Sequence, residues 1–447
     1  MKDLTQGSES KAIVLFAVPM LVGSLFQQTY TIFDSIIVGR LLGDEALAAV
    51  GASFPIIFTL ISFVIGIATA GTIIISQYYG AKDFDKVRAA IDTIFVFTFI
   101  ASIIITIVGM SFGRKVFEIT KLPADVLPQA TIYLRTFLAG TILLFGFNAI
   151  SAVLRGIGDS KTPLYFQIFA AVLNIVLDIV FIKYFHMGIR GAALATVFAH
   201  GITFFGAALY LNKTHKLVRV KLLTLNFDPE IFRHSVRIGL PSGFQQTFVA
   251  LGMLALYRIV NNFGTQVVAA YSVAGRIDGL AMVPSMILGQ ALSSFVGQNL
   301  GAGKTERVKR GLLATLVLSI VISLSVTLVV ILFKRQLMGL FTNTESVIEV
   351  GSQYLVVVSS CYIIFSVMFA LNGVMRGAGD TLIPMFITLF SLWIIRVPFA
   401  SALSKNMGEI GIWLAVPLAW SVGTIFSYIY YRSGNWKKKV IVKPPIN

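Results

Sequence analysis

KAIVLFAVPMLVGSLFQQTYTIFDSIIVG, residues 11–39, decides what class of protein this chain is. The run is apolar enough and long enough to cross a bilayer as a helix, which takes ~20 residues. It nevertheless holds a carboxylate, Asp34, in its second half, where a charge costs at least ~2.5 kcal/mol on insertion scales. Earlier in the same run, Pro19 removes a backbone hydrogen bond and permits a bend. A membrane helix with a proline hinge and a buried acid reads as a moving part. The plainer readings of Asp34 are a structural hydrogen-bond partner or an acid at the aqueous end of a shorter helix.

Working outward, 56% of the 447 residues are hydrophobic and only 13% are charged, against ~25% charged in soluble proteins. That composition describes an integral membrane protein. Met1–Ser10 is polar and the first apolar run is too long for an h-region, so a cleavable signal peptide is not expected. One cysteine, Cys361, excludes an internal disulfide, and His186, His200, His215 and His234 show no metal-binding spacing. Apolar runs separated by short polar loops predict twelve spans: 12–39, 46–78, 89–112, 126–152, 163–184, 190–211, 235–261, 267–298, 311–333, 347–373, 382–403 and 410–431. Spans two and eight are long enough to tilt or to extend past the membrane.

The +16 net charge invites a nucleic-acid reading, which its distribution opposes. With both termini inside, the tails and the five loops on that side, with Arg237 at the adjoining span edge, hold 23 of the 36 Lys and Arg residues, and the six loops opposite, with Lys183 and Arg190 at theirs, hold nine. That is the positive-inside pattern with cytoplasmic termini. The tail Lys437, Lys438, Lys439 reads as a topology and headgroup anchor.

The chain repeats itself. Leu154-Arg155-Gly156-Ile157-Gly158-Asp159 matches Met375-Arg376-Gly377-Ala378-Gly379-Asp380, 221 residues later. At the same offset Gln77 matches Gln298, Gly80-Ala81 matches Gly301-Ala302, and Pro163 matches Pro384. The expected organisation is therefore an N-terminal six-helix bundle (1–211), a basic cytoplasmic connection (212–234) and a C-terminal six-helix bundle (235–447) with a basic tail. The fold class is all-α, with two bundles related by a pseudo-two-fold axis along the membrane normal and a site at their interface. The Arg-Gly-x-Gly-Asp loops lack the strand, lysine and spacing of a phosphate loop and read as tight turns between helices.

The chemistry concentrates in the first half. Asp34 lies in span one, with Tyr30 one turn before it on the same face and Gln27 and Gln28 two turns before it. Asn174 and Asp178 are four apart in span five and share a helix face; Thr196 in span six adds a hydroxyl. Two carboxylates, an amide and a hydroxyl in a low-dielectric site can trade protons. They can equally give hard oxygen ligands to Na+. H+ and Na+ both stay open as coupling ion, and no other cofactor is expected. The second half lacks equivalent acids. It carries Arg258, Arg276, Asp278 and Arg396 within spans, with Arg276 and Asp278 read as a polar patch lining a cavity or as a structural lock. Gln245, Gln246, Met253 and Met282 are further cavity candidates, since Met surfaces repack around varied ligands. No Walker motif, nucleophile–base set or metal spacing points to an enzyme.

Taken together, the spans and their two halves, Pro19…Tyr30…Asp34, Asn174-x-x-x-Asp178 with Thr196, and the paired Arg-Gly-x-Gly-Asp loops resemble the multidrug and toxic compound extrusion (MATE) family over essentially the whole chain. The resemblance implies a monomeric, prokaryotic inner-membrane antiporter that exports amphipathic, often cationic drugs or toxic metabolites in exchange for H+ or Na+ by alternating access. It assigns ion coupling to Asp34, Asp178, Asn174, Thr196 and Tyr30, and hinge bending to Pro19. Span seven, with Gln245 and Gln246, and span ten from Tyr354 to Met375 lack the acids of NorM-type relatives, which favours the DinF-like branch. Second-half arginines would instead suit a flippase or exporter of a lipid-linked or anionic substrate.

Overall fold

The structure is a computed structural model that describes residues 3–214 and 225–442. Much of the expected 212–234 connection and the end of the basic tail lie outside those residues. Among the described residues every regular element is helical. The helices are α1 (Glu9–Leu42), α2 (Asp44–Gly80), α3 (Phe84–Ile119), α4 (Leu127–Ala139), α5 (Thr141–Gly156), α6 (Lys161–Ile179), α7 (Gly188–Thr214), α8 (Pro229–Val260), α9 (Thr265–Gly301), α10 (Thr305–Leu332), α11 (Lys334–Gly339), α12 (Glu345–Ser359), α13 (Tyr362–Gly377), α14 (Leu382–Leu389), α15 (Val397–Met407) and α16 (Glu409–Ser433). A π turn, Val180–Tyr184, extends α6, and a second, Phe390–Arg396, joins α14 to α15.

Each of the twelve expected spans falls on these helices. Among the described residues nine helices are long and apolar enough to cross a membrane, or eleven if two bent pairs each count as one span. The remaining expected span, 235–261, coincides with α8, whose 32 residues include Gln245, Gln246 and Arg258. The bent pairs are α4–α5, at 49°, and α12–α13, at 47°. They stand at equivalent places in the repeat, since Gly140 lies 221 residues before Cys361. Bends there were not expected from the apolar runs, because the break falls between two apolar segments. At the first, a β-carbon on Gly140 would lie 2.2 Å from the Val197 side chain, so only glycine lets α7 approach the joint.

The repeated loops form the expected tight turns. Gly158 (φ +87°) and Gly379 (φ +92°) occupy the left-handed region that ends a helix. In both, the following aspartate's N–H returns to a carbonyl five residues back: Asp159 to Leu154 (2.8 Å) and Asp380 to Met375 (3.0 Å). The Asp159 carboxylate then accepts from the N–H groups of Lys161 and Thr162, both at 3.0 Å, and caps α6.

By packing, the described chain forms two compact units. One is built on Val18–Gly243, the other on Leu4–Ala17 together with Phe244–Asn447. The units therefore part inside α1, next to Pro19, and inside α8, next to Pro241. In the first unit α2 meets the start of α8 backbone to backbone. A β-carbon on Gly66 would fall 2.3 Å from the Gly239 carbonyl and 2.7 Å from the Gly243 nitrogen. In the second unit the core is aromatic: Tyr271 stacks on Trp413 with centroids 5.6 Å apart, and Tyr354 meets the same indole edge-on at 4.9 Å. Hydroxyls within these apolar helices are mostly satisfied by carbonyls one turn back, as at Ser53, Thr72 and Thr315.

Candidate functional site

Three helices of the first unit bring the predicted polar residues together. Asp34 sits on α1, Asn174 and Asp178 one turn apart on α6, and Thr196 on α7; all four are buried. Asp178 is 0% exposed, which an unpaired carboxylate does not tolerate. Its neighbours explain its tolerance. The orientation of the Asn174 amide follows from the network around it. Nδ2 donates to Asp178 Oδ2 (3.0 Å), while Oδ1 accepts from the Thr196 N–H (3.1 Å) and from Thr196 Oγ1 (3.2 Å). The Asp34 and Asp178 carboxyls are neighbours in this buried site and feel one another electrostatically. Two carboxylates offer only acceptors, so a bond between them would need a proton on one of them. Asp178 Oδ1 is buried and has no hydrogen-bond donor among the described residues.

Tyr30, half-buried one turn before Asp34, lies near Thr196 and in the field of both carboxyls. Sequence reasoning missed a fifth wall. Tyr133 on α4 is buried and feels Asp34, Tyr30 and Asp178 electrostatically. It lies in the predicted fourth span, but only the packing of α4 against the other helices turns it inward, so nothing local marked it. Gln27 and Gln28 are exposed and make no part of this network.

The site sets two acids together, ringed by an amide and hydroxyls. With both acids ionised it would carry two adjacent negative charges with four or more oxygen donors. That arrangement can exchange a proton or accept a small hard cation.

In the second unit, Asp278 has a different setting. Its carboxylate accepts from Tyr362 Oη at 2.5 Å and from Tyr354 Oη at 3.2 Å. Those tyrosines stand on either side of the α12–α13 bend, so Asp278 braces the two arms of the broken span. Arg396, buried at the end of the second π turn, lies in electrostatic range. Arg276 points away and is exposed. Gln245 is buried, donates to Thr388 Oγ1 (2.6 Å) and the Pro384 carbonyl (3.3 Å), and accepts from Arg376 (2.8 Å). Gln246 and Met282 are half-buried and Met253 is exposed. The second-half candidates thus divide between closed internal networks and open positions, and they do not converge on one point as the first-half residues do.

Comparison with known proteins bears on this geometry. A family model described as MatE matches the chain twice, over residues 19–180 and 241–401, beginning at the two helix prolines. The probable multidrug resistance protein YpnP of Bacillus subtilis (strain 168) is 36% identical over 435 residues, covering 97% of each chain. A crystal structure of MATE in the bent conformation superposes with a TM-score of 0.91 at 26% identity, covering 97% of this chain and 98% of that one. One in the straight conformation gives 0.90 at 26% identity, covering 98% of each.

Proposed function

The chain belongs to the MatE family, a family of transporters and not of enzymes, and on that premise we propose that it is an ion-coupled antiporter for amphipathic, cationic compounds. Multidrug efflux is the activity of the family; the coupling is our reading. The observation that carries it is the convergence of the Asp34 and Asp178 carboxyls with Asn174 and Thr196 in one buried site, where in this reading the two acids share one exchangeable proton. Protonated or ion-filled, the cluster is neutral and gives a cationic drug nothing to pair with. Emptied, it is anionic and favours the cation. Exclusion of drug by ion at one cluster is the requirement for exchange.

Asp34, Asp178, Asn174, Thr196 and Tyr30 are the coupling residues in this reading, and Pro19 is the hinge of the helix that carries Asp34. Two solved relatives differ by name as bent and straight, and α1 has a proline where such a difference could arise. The protein works as a monomer in a prokaryotic inner membrane, with both termini cytoplasmic and two six-helix halves, 1–211 and 235–447. Span seven, and span ten from Tyr354 to Met375, carry no acid, which supports placing the coupling in the first half.

The test is efflux of ethidium from proteoliposomes with pH and Na+ gradients imposed separately. The native protein should move dye under at least one gradient, and Asp34→Asn should not, while still binding and folding. Normal gradient-driven efflux by Asp34→Asn would end the coupling assignment.

A further inference from the structure

Away from the acid cluster, each unit has a clasp. In the second unit the strap Leu4–Glu9 leads into α1, of which Glu9 is the first residue, and lies on the turn between α9 and α10. Arg307, in the first turn of α10, gathers it. Nη1 donates to the Gly7 carbonyl (2.9 Å) and meets Glu9 Oε1 (3.3 Å). Nη2 donates to the carbonyls of Gln6 (3.3 Å) and Leu4 (3.5 Å), and Nε to Asn299 Oδ1 (3.0 Å). Asn299 and Lys304 add bonds to the carbonyls of Leu4 (3.1 Å) and Thr5 (2.9 Å), and Gln298 Oε1 accepts from the Leu4 N–H (3.1 Å). A short polar segment outside the helices ordinarily frays. Here the rigid five-donor fork of one arginine fixes several points at once, which a lysine cannot do.

The first unit repeats the device. Lys86 stands 221 residues before Arg307, and Glu9 stands 221 before Glu230. Lys86 Nζ meets Asp228 Oδ2 (3.0 Å) and Glu230 Oε2 (3.8 Å) at the first turn of α8. The Asp228 N–H donates to Thr93 Oγ1 (3.0 Å) and the Asn226 N–H to Asp92 Oδ2 (3.3 Å). The start of α8 is thus held by the first unit and the start of α1 by the second. The rest of each helix belongs to the other unit, with the crossings at Ala17/Val18 and Gly243/Phe244. Pro19 and Pro241 sit beside those crossings.

We infer that Arg307 and Lys86 are positioning residues for transport: they fix the first turns of α1 and α8 to one unit, so that displacement of the other unit is taken up at Pro19 and Pro241. The inference rests on the alternating-access reading above. Asp34 follows Glu9 by 25 residues on one helix, about 37 Å at 1.5 Å per residue. The clasp therefore acts on the acid cluster only through the helix.

The experiment compares native full-length protein with Arg307→Ala and Arg307→Lys by hydrogen exchange in nanodiscs and by ethidium transport in proteoliposomes. In Arg307→Ala, exchange should rise over residues 4–12 and change also over 18–42. Ethidium affinity and its pH dependence should stay, while turnover per folded molecule falls roughly tenfold, the size of a population shift between conformers. Arg307→Lys should restore only part of it. A strap that exchanges freely while turnover and the 18–42 exchange stay native would overturn the inference. Native protein that moves no ethidium under either gradient strikes the transport reading alone; the exchange over 18–42 still decides the clasp. If Arg307→Ala fails to fold, Glu9→Gln removes the ion pairs of Glu9 with Arg307 and Arg310, keeps the carbonyl bonds and should give the same pattern at about threefold.

Discussion

Asp178→Asn tests the shared proton most directly. The native carboxyl accepts from Asn174 Nδ2 at 3.0 Å and, in the proposed reading, shares one proton with the neighbouring Asp34 carboxyl. The substitution preserves shape and supplies an amide N–H in place of that proton, so the bond to Asp34 survives while the exchangeable proton goes. If proton and drug exclude each other, drug affinity in the native protein rises tenfold per pH unit as the pair titrates, about 1.4 kcal/mol per unit. Over two such units the dissociation constant should change roughly hundredfold, and in Asp178→Asn by less than about twofold. The assay is ethidium binding to purified protein by fluorescence anisotropy, titrated across pH in potassium and in sodium chloride. A native-like slope in Asp178→Asn would show that the coupling proton is carried elsewhere. A native slope that appears against sodium concentration and not against pH would make Na+ the coupling ion and leave the residues unchanged.

Further outcomes follow from other parts of the molecule. Pro19→Ala restores a missing N–H and favours a straight α1 by up to ~3 kcal/mol; ethidium binding should persist while liposome turnover falls, and native turnover at matched protein density would dismiss the hinge. Asp278→Asn weakens two tyrosine hydrogen bonds to a charge, about 2 kcal/mol each; it should lower the melting temperature and leave ion dependence intact, and a loss of ion dependence would bring the second half into coupling. Gly373→Ala would set a β-carbon 2.5 Å from the Gly289 carbonyl; overpacking of this kind costs ~1–3 kcal/mol and should show as a lower melting temperature, whereas an unchanged one would mean α9 and α13 separate freely. Burial draws the Asp228 carboxyl upward, but the Lys86 ammonium and the N–H groups of Ile231 and Glu230 outweigh it and hold it below the usual range. Its contribution is present above the unfolded value of ~3.9 and lost as pH falls through the lower folded one. Hydrogen exchange in the first turn of α8 should therefore rise in strong acid and stay flat near neutrality.

Much of this was readable in the residues. Long apolar runs placed every span, because a bilayer demands ~20 apolar residues and polar turns between them. Asp34, Asn174, Asp178 and Thr196 were found because buried polar groups in apolar helices are few and expensive. Tyr133 was invisible, since an aromatic in a span is ordinary until packing shows where it points. The bends at Gly140 and Cys361 were hidden within single apolar runs, and both π turns lie in segments whose hydropathy does not change. The strap at Leu4–Glu9 read as a polar tail. Its order comes from carbonyls held by a residue some 300 positions later, a contact that periodicity cannot report.

The two Arg-Gly-x-Gly-Asp turns give the molecule an internal calibration. Gly158 and Gly379 share one backbone geometry and one hydrogen-bond pattern, so a β-carbon at either imposes nearly the same local penalty, on the order of 1–2 kcal/mol. Their surroundings differ: Asp159 caps its own helix through Thr162, whereas Asp380 is also held by Tyr430 of α16 at 2.5 Å. The same alanine placed at each would thus be a matched pair within one chain. Any difference between the two would measure how stiffly each half resists an identical insult, free of the uncertainty that comes from comparing separate proteins.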